Sequence, residues 1–248
     1  MLVVRSYIQG ENYQNDIRNL TLVGTPNKGA AFAYIIWEGG NPIFADSVKG
    51  GNGFGVFAKY FYTNTINENY QEITEKSGLC IWEFGVSDTP IACNKEKVYD
   101  FVHKNVLSLG QLMPIYEGAI YRYPSMSEDI TSTLIERNEF LFVLNNGGTY
   151  KGETYSLMSQ ISNLVSKFNL YASYSEETLY KIGVGIPNPS SVLYKDGEIM
   201  ATHTTPYGDG TVASGYSVNI NNILALGLGG EHSSLITKLI PFINDLIN

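Results

Sequence analysis

Leu20-Thr21-Leu22-Val23-Gly24-Thr25-Pro26-Asn27-Lys28-Gly29-Ala30 is the stretch that decides the fold. Leu20 to Val23 is a short apolar, β-branched run ending at a glycine, which reads as a buried strand meeting a tight turn. Thr25 to Gly29 is that turn, and Ala30 to Trp37 reads as the start of a helix. Working outward, Met1 to Gln9 is apolar with one arginine and suits a short strand or the body of a helix, and Gly10 to Asn19 is polar and loop-like.

Strand character returns near the other end. Leu179 to Val184 leads into Gly185-Ile186-Pro187-Asn188-Pro189. Ser191 to Tyr194 and Glu198 to Thr202 flank Lys195-Asp196-Gly197, where Asp-Gly is a hairpin signal. Asn221 to Leu226 is another apolar run, and Leu235 to Ile247 carries apolar residues at helical spacing. Between the two ends the texture changes. Gly39-Gly40-Asn41-Pro42 and Lys49 to Gly53 are loops, and Tyr and Phe are dense around them. Glu96 to His103, Ser132 to Leu144 and Thr154 to Phe168 read as helices, the last after a break at Asn145-Asn146-Gly147-Gly148. Strands at both ends with helices between predict an α/β chain: a sheet core with a large, mainly helical insertion.

Composition narrows the function classes. The chain has 248 residues, 44% hydrophobic and 16% charged, an ordinary globular balance long enough to bury a sizeable core. The net charge of −8 argues against a nucleic-acid or anionic-membrane surface, both of which call for clustered Lys and Arg. It says nothing about lipid substrates, which are bound through apolar surface. No apolar stretch approaches the roughly 20 residues of a membrane span. Cys80 and Cys93 lack zinc-site spacing. They read either as two separate thiols or as one disulfide, which needs an oxidising compartment. The carboxylates show no calcium-loop spacing, so neither metal nor cofactor is expected.

Two places carry chemistry: Pro206-Tyr207-Gly208-Asp209-Gly210-Thr211-Val212 and Gly229-Gly230-Glu231-His232-Ser233-Ser234-Leu235. A carboxylate at Asp209, between glycines and past a strand end, can hold the tautomer of a neighbouring histidine. Gly-Asp-Gly is equally an ordinary turn. His232 follows a glycine-rich loop and precedes the last helix, where functional loops of α/β sheets gather. A single histidine there can also be structural, and the pair carries more weight than either member, because α/β-hydrolases use the chain order Asp…His. His203, inside a likely strand, reads as a packed or surface histidine, and His103, in a helical patch of the insertion, reads as non-catalytic. No serine stands in a G-x-S-x-G elbow. Ser214 and Ser233 are nearest to the other two groups, without an evident oxyanion hole.

Together these residues resemble the lecithin:cholesterol acyltransferase-like lipases of the α/β-hydrolase superfamily. Leu20 to Ala30 is similar to the family's strand-plus-GTP-x-x-G segment. Ser108-Leu109-Gly110-Gln111-Leu112-Met113-Pro114-Ile115-Tyr116 resembles its lid stretch. Tyr180 to Ser191 with Gly208 to Ser214 resembles its G-D-G-T-V block, and Gly230 to Ile247 its terminal histidine and helix. Ala213 stands where proline is common, and Pro189-Ser190 replaces Pro-Thr. The resemblance implies a partial, mostly parallel α/β-hydrolase sheet, with core in residues 1–37 and 179–248 and a cap or lid in 38–178. It implies Asp209 as the acid and His232 as the general base of a serine esterase, lipase or acyltransferase. Met1 to Ile8 resembles the helix that follows the elbow, so the nucleophilic serine is expected upstream of Met1 and this chain alone is expected to be inactive. An open sheet edge then predicts self-association or cover by an N-terminal half, and a secreted or extracytoplasmic location is favoured. The alternative is a non-catalytic binding or structural protein built on hydrolase remains.

Overall fold

The computed structural model describes residues 2–38, 80–81, 92–156, 161, 163–172, 178–218, 223–228, 235, 237 and 240. The decisive stretch folds as its residues predict: strand β1, Asn19–Val23, a turn, then a helix, Ala31–Trp37. Helix α1, Leu2–Gln9, precedes it, and Ala31–Trp37 is α2. Next come the short strands β2, Cys80–Ile81, and β3, Ala92–Cys93, then α3, Lys95–Asn105, and α4, Leu107–Gly110. Strand β4, Ile120–Arg122, a 3-10 turn at Thr131–Thr133 and α5, Glu139–Asn146, lead to β5, Gly148–Tyr150, and β6, Glu153–Tyr155. The last strands are β7, Ser166–Ala172, β8, Thr178–Val184, β9, Ile199–Thr205, and β10, Leu224–Leu228, with a π-helical turn at Ser214–Val218 between the final two.

Two three-stranded sheets form the mixed α/β architecture. The first is wholly parallel, in the order β1-β7-β10, with Asn19 opposite Ser166 and Leu224 opposite Phe168. Parallel alignment puts the carboxyl ends of all three strands on one edge. Leu20 and Leu22 alternate inward from β1 and pack with Ile8 of α1, Ile161, Leu164 and Ile223. The second sheet has the order β4-β8-β9, with β4 parallel and β9 antiparallel to β8. Its apolar face, Ile120, Ile182, Val184 and Ile199, packs against Ala31, Tyr34 and Ile35 of α2. The strand β1 and the helix α2 that follows it thus serve different sheets, and the turn between them is the joint.

That joint requires glycine. Gly29 has φ +81°, and a Cβ there would lie 2.2 Å from the Met113 carbonyl oxygen. The backbone of 28–30 is zipped to 112–115: the Ala30 amide donates to Leu112 O (2.8 Å) and the Ile115 amide to Lys28 O (2.9 Å).

Several sequence expectations are corrected. Thr154 to Phe168 is not one helix: it begins in β6 and ends in β7, with Ile161 helical between them. Ile161 and Leu164 are buried, so the spacing marked core residues correctly. The long-range ladder with β1 claims Ser166 onward, overriding local period. Ser132 to Leu144 is not one helix: a 3-10 turn ends at Thr133, and the α-helix begins only at Glu139, where the Asn138 side chain accepts the Leu141 amide (3.0 Å) and caps it. Ser191 to Tyr194 forms no strand, and Asp-Gly closes no two-residue hairpin. The β8–β9 ladder ends where the Gly185 amide meets Glu198 O (2.8 Å), and the Asp196 carboxylate turns away to accept the Ile135 amide (3.1 Å). Among the described residues the middle of the chain carries both helices and short strands, and β7, Ser166–Ala172, is the central strand of the parallel sheet. The loops at Gly39 to Gly53 lie outside the described residues. Leu235, Thr237 and Ile240 are helical; the rest of the terminal run lies outside them.

Among the described residues no helix is long and apolar enough to cross a membrane. Ile182 is fully buried and Ile186, four residues on, is 86% exposed. Replacing Ile182 by Ala is expected to lower unfolding free energy by about 2–5 kcal/mol. Ile186→Ala is expected to stay within about 0.5 kcal/mol. Urea denaturation of the two variants against the parent checks the pair.

Candidate active site

Asp209 lies in the turn between β9 and the π-helical turn, and it is buried, 3% exposed. Its Oδ1 accepts two backbone amides, Thr211 N–H (3.0 Å) and Val212 N–H (2.7 Å). The turn is clamped from outside as well. The Gly210 amide donates to Thr178 Oγ1 (2.9 Å), at the first residue of β8. A Cβ on Gly208 would lie 2.4 Å from that same oxygen, so Gly208 is what lets β8 and the turn close on each other. Gly208 also bridges to Ala213. The carboxylate is thus held by short-range bonds to its own loop, and the loop is held by a strand.

The next residues tie this turn to the rest of the sheet. The Lys28 amide donates to Ser217 O (2.9 Å). The Val218 carbonyl accepts both Asn27 Nδ2 (2.9 Å) and Asn169 Nδ2 (2.7 Å), the second from the middle of β7. Asn27 is fully buried and also faces Arg5: Arg5 Nη1 donates to Asn27 Oδ1 (3.1 Å) and Asn27 O (3.3 Å), while Asn145 Nδ2 donates to Asn27 O (2.8 Å). Arg5, 0% exposed, completes its set with Leu144 O (3.4 Å) and Asn145 Oδ1 (3.5 Å), all neutral oxygens. Burial lowers its pKa to about 10, still protonated at neutral pH. The turn after β1 and the turn carrying Asp209, distant in sequence, are parts of one buried polar network.

An aromatic group flanks the π-helical turn. Tyr216, 40% exposed, stacks on Tyr180 with ring centroids 4.6 Å apart. Tyr116, buried, lies 5.8 Å from Tyr216 and donates its hydroxyl to Tyr180 O (2.7 Å). The aromatic residues divide between interior and surface: Tyr34, Tyr116 and Tyr121 are core, while Tyr207 and Tyr216 face outward.

His232 and Ser233 lie outside the described residues, just past the carboxyl end of β10 at Leu228. Ser214 is buried, and its amide donates to Tyr207 O (3.0 Å). His203 lies in β9, and its Nε2 is hydrogen-bonded to the Tyr121 hydroxyl (2.7 Å). His103 is sandwiched between Trp37 and Tyr99, ring centroids 3.8 Å on each side, and its Nε2 donates to Trp37 O (2.9 Å). The sequence reading missed Asn27, Asn169 and Thr178. Asn27 was visible only as a turn residue, and nothing local distinguishes Asn169 in a strand.

A second titratable cluster surrounds Glu38. Burial first, and then the Asp196 and Glu136 carboxylates, raise its pKa to about 7. Burial likewise raises Asp196. Glu136 accepts Trp37 Nε1 (3.0 Å) and pairs with Lys195. Among the described residues no group of His, Cys, Asp and Glu side chains is arranged to hold a metal ion. Comparison with family models, with curated proteins and with solved structures gives no match.

Two outcomes follow from these networks. Asn27→Ala strips Arg5 of an acceptor and Val218 of a donor, and is expected to cost about 2–4 kcal/mol in chemical denaturation. Glu38 binds its proton more tightly folded than unfolded, so its contribution to stability grows as pH falls from about 7 toward the ordinary carboxylate range. His103, lowered by burial, acts oppositely below the ordinary imidazole range. Unfolding free energy from urea denaturation at pH 8 and pH 5 is expected to include a Glu38 contribution that rises on acidification, on the order of a few kcal/mol, and the parent is expected to gain more than the Glu38→Gln variant by that amount.

Proposed function

We propose that this chain is the acid-and-histidine part of a carboxylic-ester hydrolase or acyltransferase of the serine-triad type, on an α/β-hydrolase fold of the lecithin:cholesterol acyltransferase-like kind, with a lipid or other ester as substrate. The observation that carries the reading is the Asp209 carboxylate: buried, clamped through Oδ1 by two amides of its own turn, and joined through Ser217 and Val218 to the turn that leaves the carboxyl end of β1. In chain order the acid turn comes between β7 and β10 and His232 comes four residues after β10, the order Asp…His of α/β-hydrolases.

In this reading a serine attacks the ester carbonyl and His232 Nε2 takes its proton. Asp209 holds the imidazole by its Nδ1–H and stabilises the imidazolium, and water or an alcohol then releases the acyl group. Oxyanion donors contribute roughly 3 kcal/mol each. The serine belongs to a strand-to-helix elbow N-terminal to Leu2. Helix α1 packs through Ile8 on Leu20 and Leu22 of β1, as the second half of a β-α-β unit does, and a right-handed crossover puts the first strand of such a unit beside β1. Val3, 79% exposed on α1, suits a helix with more protein over it. Chains without that strand associate through the β1 edge. The Tyr180–Tyr216 stack supplies an apolar wall near the acid turn, and residues 38–178 supply the cap. An extracytoplasmic location accords with the two cysteines.

A fluorophosphonate probe tests the reading. The chain as it stands is expected to remain unlabelled, and a form extended by its upstream coding segment to be labelled at one serine. In the extended form Asp209→Asn is expected to lower kcat for ester hydrolysis by about 10⁴-fold, and His232→Ala to abolish labelling. An extended form that stays unlabelled would leave the non-catalytic binding protein as the better reading.

A further inference from the structure

Only two of the 248 residues are cysteines, and the backbone register of β2 and β3 sets Cys80 directly opposite Cys93. Directly opposed residues of an antiparallel pair have Cα atoms about 4.5–5.5 Å apart. That separation falls inside the roughly 4.4–6.8 Å that a disulfide bridges. A slip of one residue would put Ala92 or Asn94 there instead. The ladder is only two residues long on each side, and strands this short are marginal on their own. Pairing them fixes backbone on both sides and closes the connection of residues 82–91, for very few hydrogen bonds. A covalent tie at the paired position lowers the entropy of the unfolded chain and so offsets that cost.

We propose that Cys80 and Cys93 form an intramolecular disulfide that anchors the chain where it enters α3. Neither the hydrolase reading nor the non-catalytic one is needed for it. Chemically, one cysteine thiolate attacks the disulfide of an oxidant such as glutathione disulfide and expels one thiol. The second cysteine thiolate then displaces the other thiol from the mixed disulfide. Two protein thiols give up two protons and two electrons, and the oxidant becomes two thiols. The position has a structural consequence. Cys93 immediately precedes Asn94, whose side chain accepts the Lys97 amide (3.0 Å) and caps α3. That helix carries His103, which stacks between Tyr99 of the same helix and Trp37 of α2. The cross-link thus fixes the start of the helix that closes over the carboxyl end of α2.

The test equilibrates the full chain across a glutathione/glutathione disulfide series, once folded and once in urea, then quenches with maleimide and reads intact mass. The folded chain is expected to become unreactive to maleimide as a monomer, and its non-reducing digest to contain one joined peptide pair holding Cys80 and Cys93. Reduction is expected to need at least about tenfold more glutathione for the folded chain than for the chain in urea. A Cys80→Ala/Cys93→Ala variant is expected to melt at the temperature of the reduced parent, below the oxidised one. Two maleimides on the folded chain throughout, a disulfide-linked dimer, equal reduction midpoints with and without urea, or identical melting of oxidised and reduced parent would each overturn the proposal.

Discussion

The side chain of Asn27 is the contact on which the arrangement depends. It receives the guanidinium of Arg5 on Oδ1 and donates through Nδ2 to Val218 O, while its carbonyl accepts from Arg5 and from Asn145. Four parts of the chain converge there: α1, the turn after β1, the end of α5 and the π-helical turn after Asp209. Losing the amide would remove one acceptor from the buried guanidinium of Arg5 and one of the two donors to Val218 O, and weakening the hold on a buried cation is the costlier of the two. Asn169 reinforces the same carbonyl from the neighbouring strand.

Around that point the molecule divides its labour. The parallel sheet provides a rigid edge, and the second sheet, backed by α2, provides the bulk of the apolar core. Thr178 and Gly208 link the two, because the first residue of β8 in one sheet grips the turn that leads back toward the other. The acid turn is therefore positioned by both sheets at once. A carboxylate fixed in this way keeps its orientation without reorganising.

Much of this was legible in the sequence, for identifiable reasons. Leu20 to Val23 and Leu179 to Val184 are strongly patterned strands bounded by turn residues, and both were placed within a residue. The flanking glycines marked a turn at Asp209, and a turn is what the structure has there. What stayed hidden depends on distant partners. Ser166 to Phe168 carries helical spacing and becomes a strand because β1 and β10 lie on either side of it. Asp196 looked like a hairpin residue, yet its carboxylate serves the Ile135 amide. Asn27 and Asn169 meet at one carbonyl although 142 positions separate them, and no local pattern signals that meeting.

The pairing of Asn19 with Ser166 sets an order of assembly. Hydrogen bonds between segments so far apart reward the chain only after a very large loop has been closed, whereas β8 finds β9 within a short connection. During synthesis β1 emerges long before its partner strand exists. It must wait, apolar and extended, while everything between is made. A strand left unpaired for that long is open to association with other chains, so shielding of the nascent chain bears on the yield of folded protein.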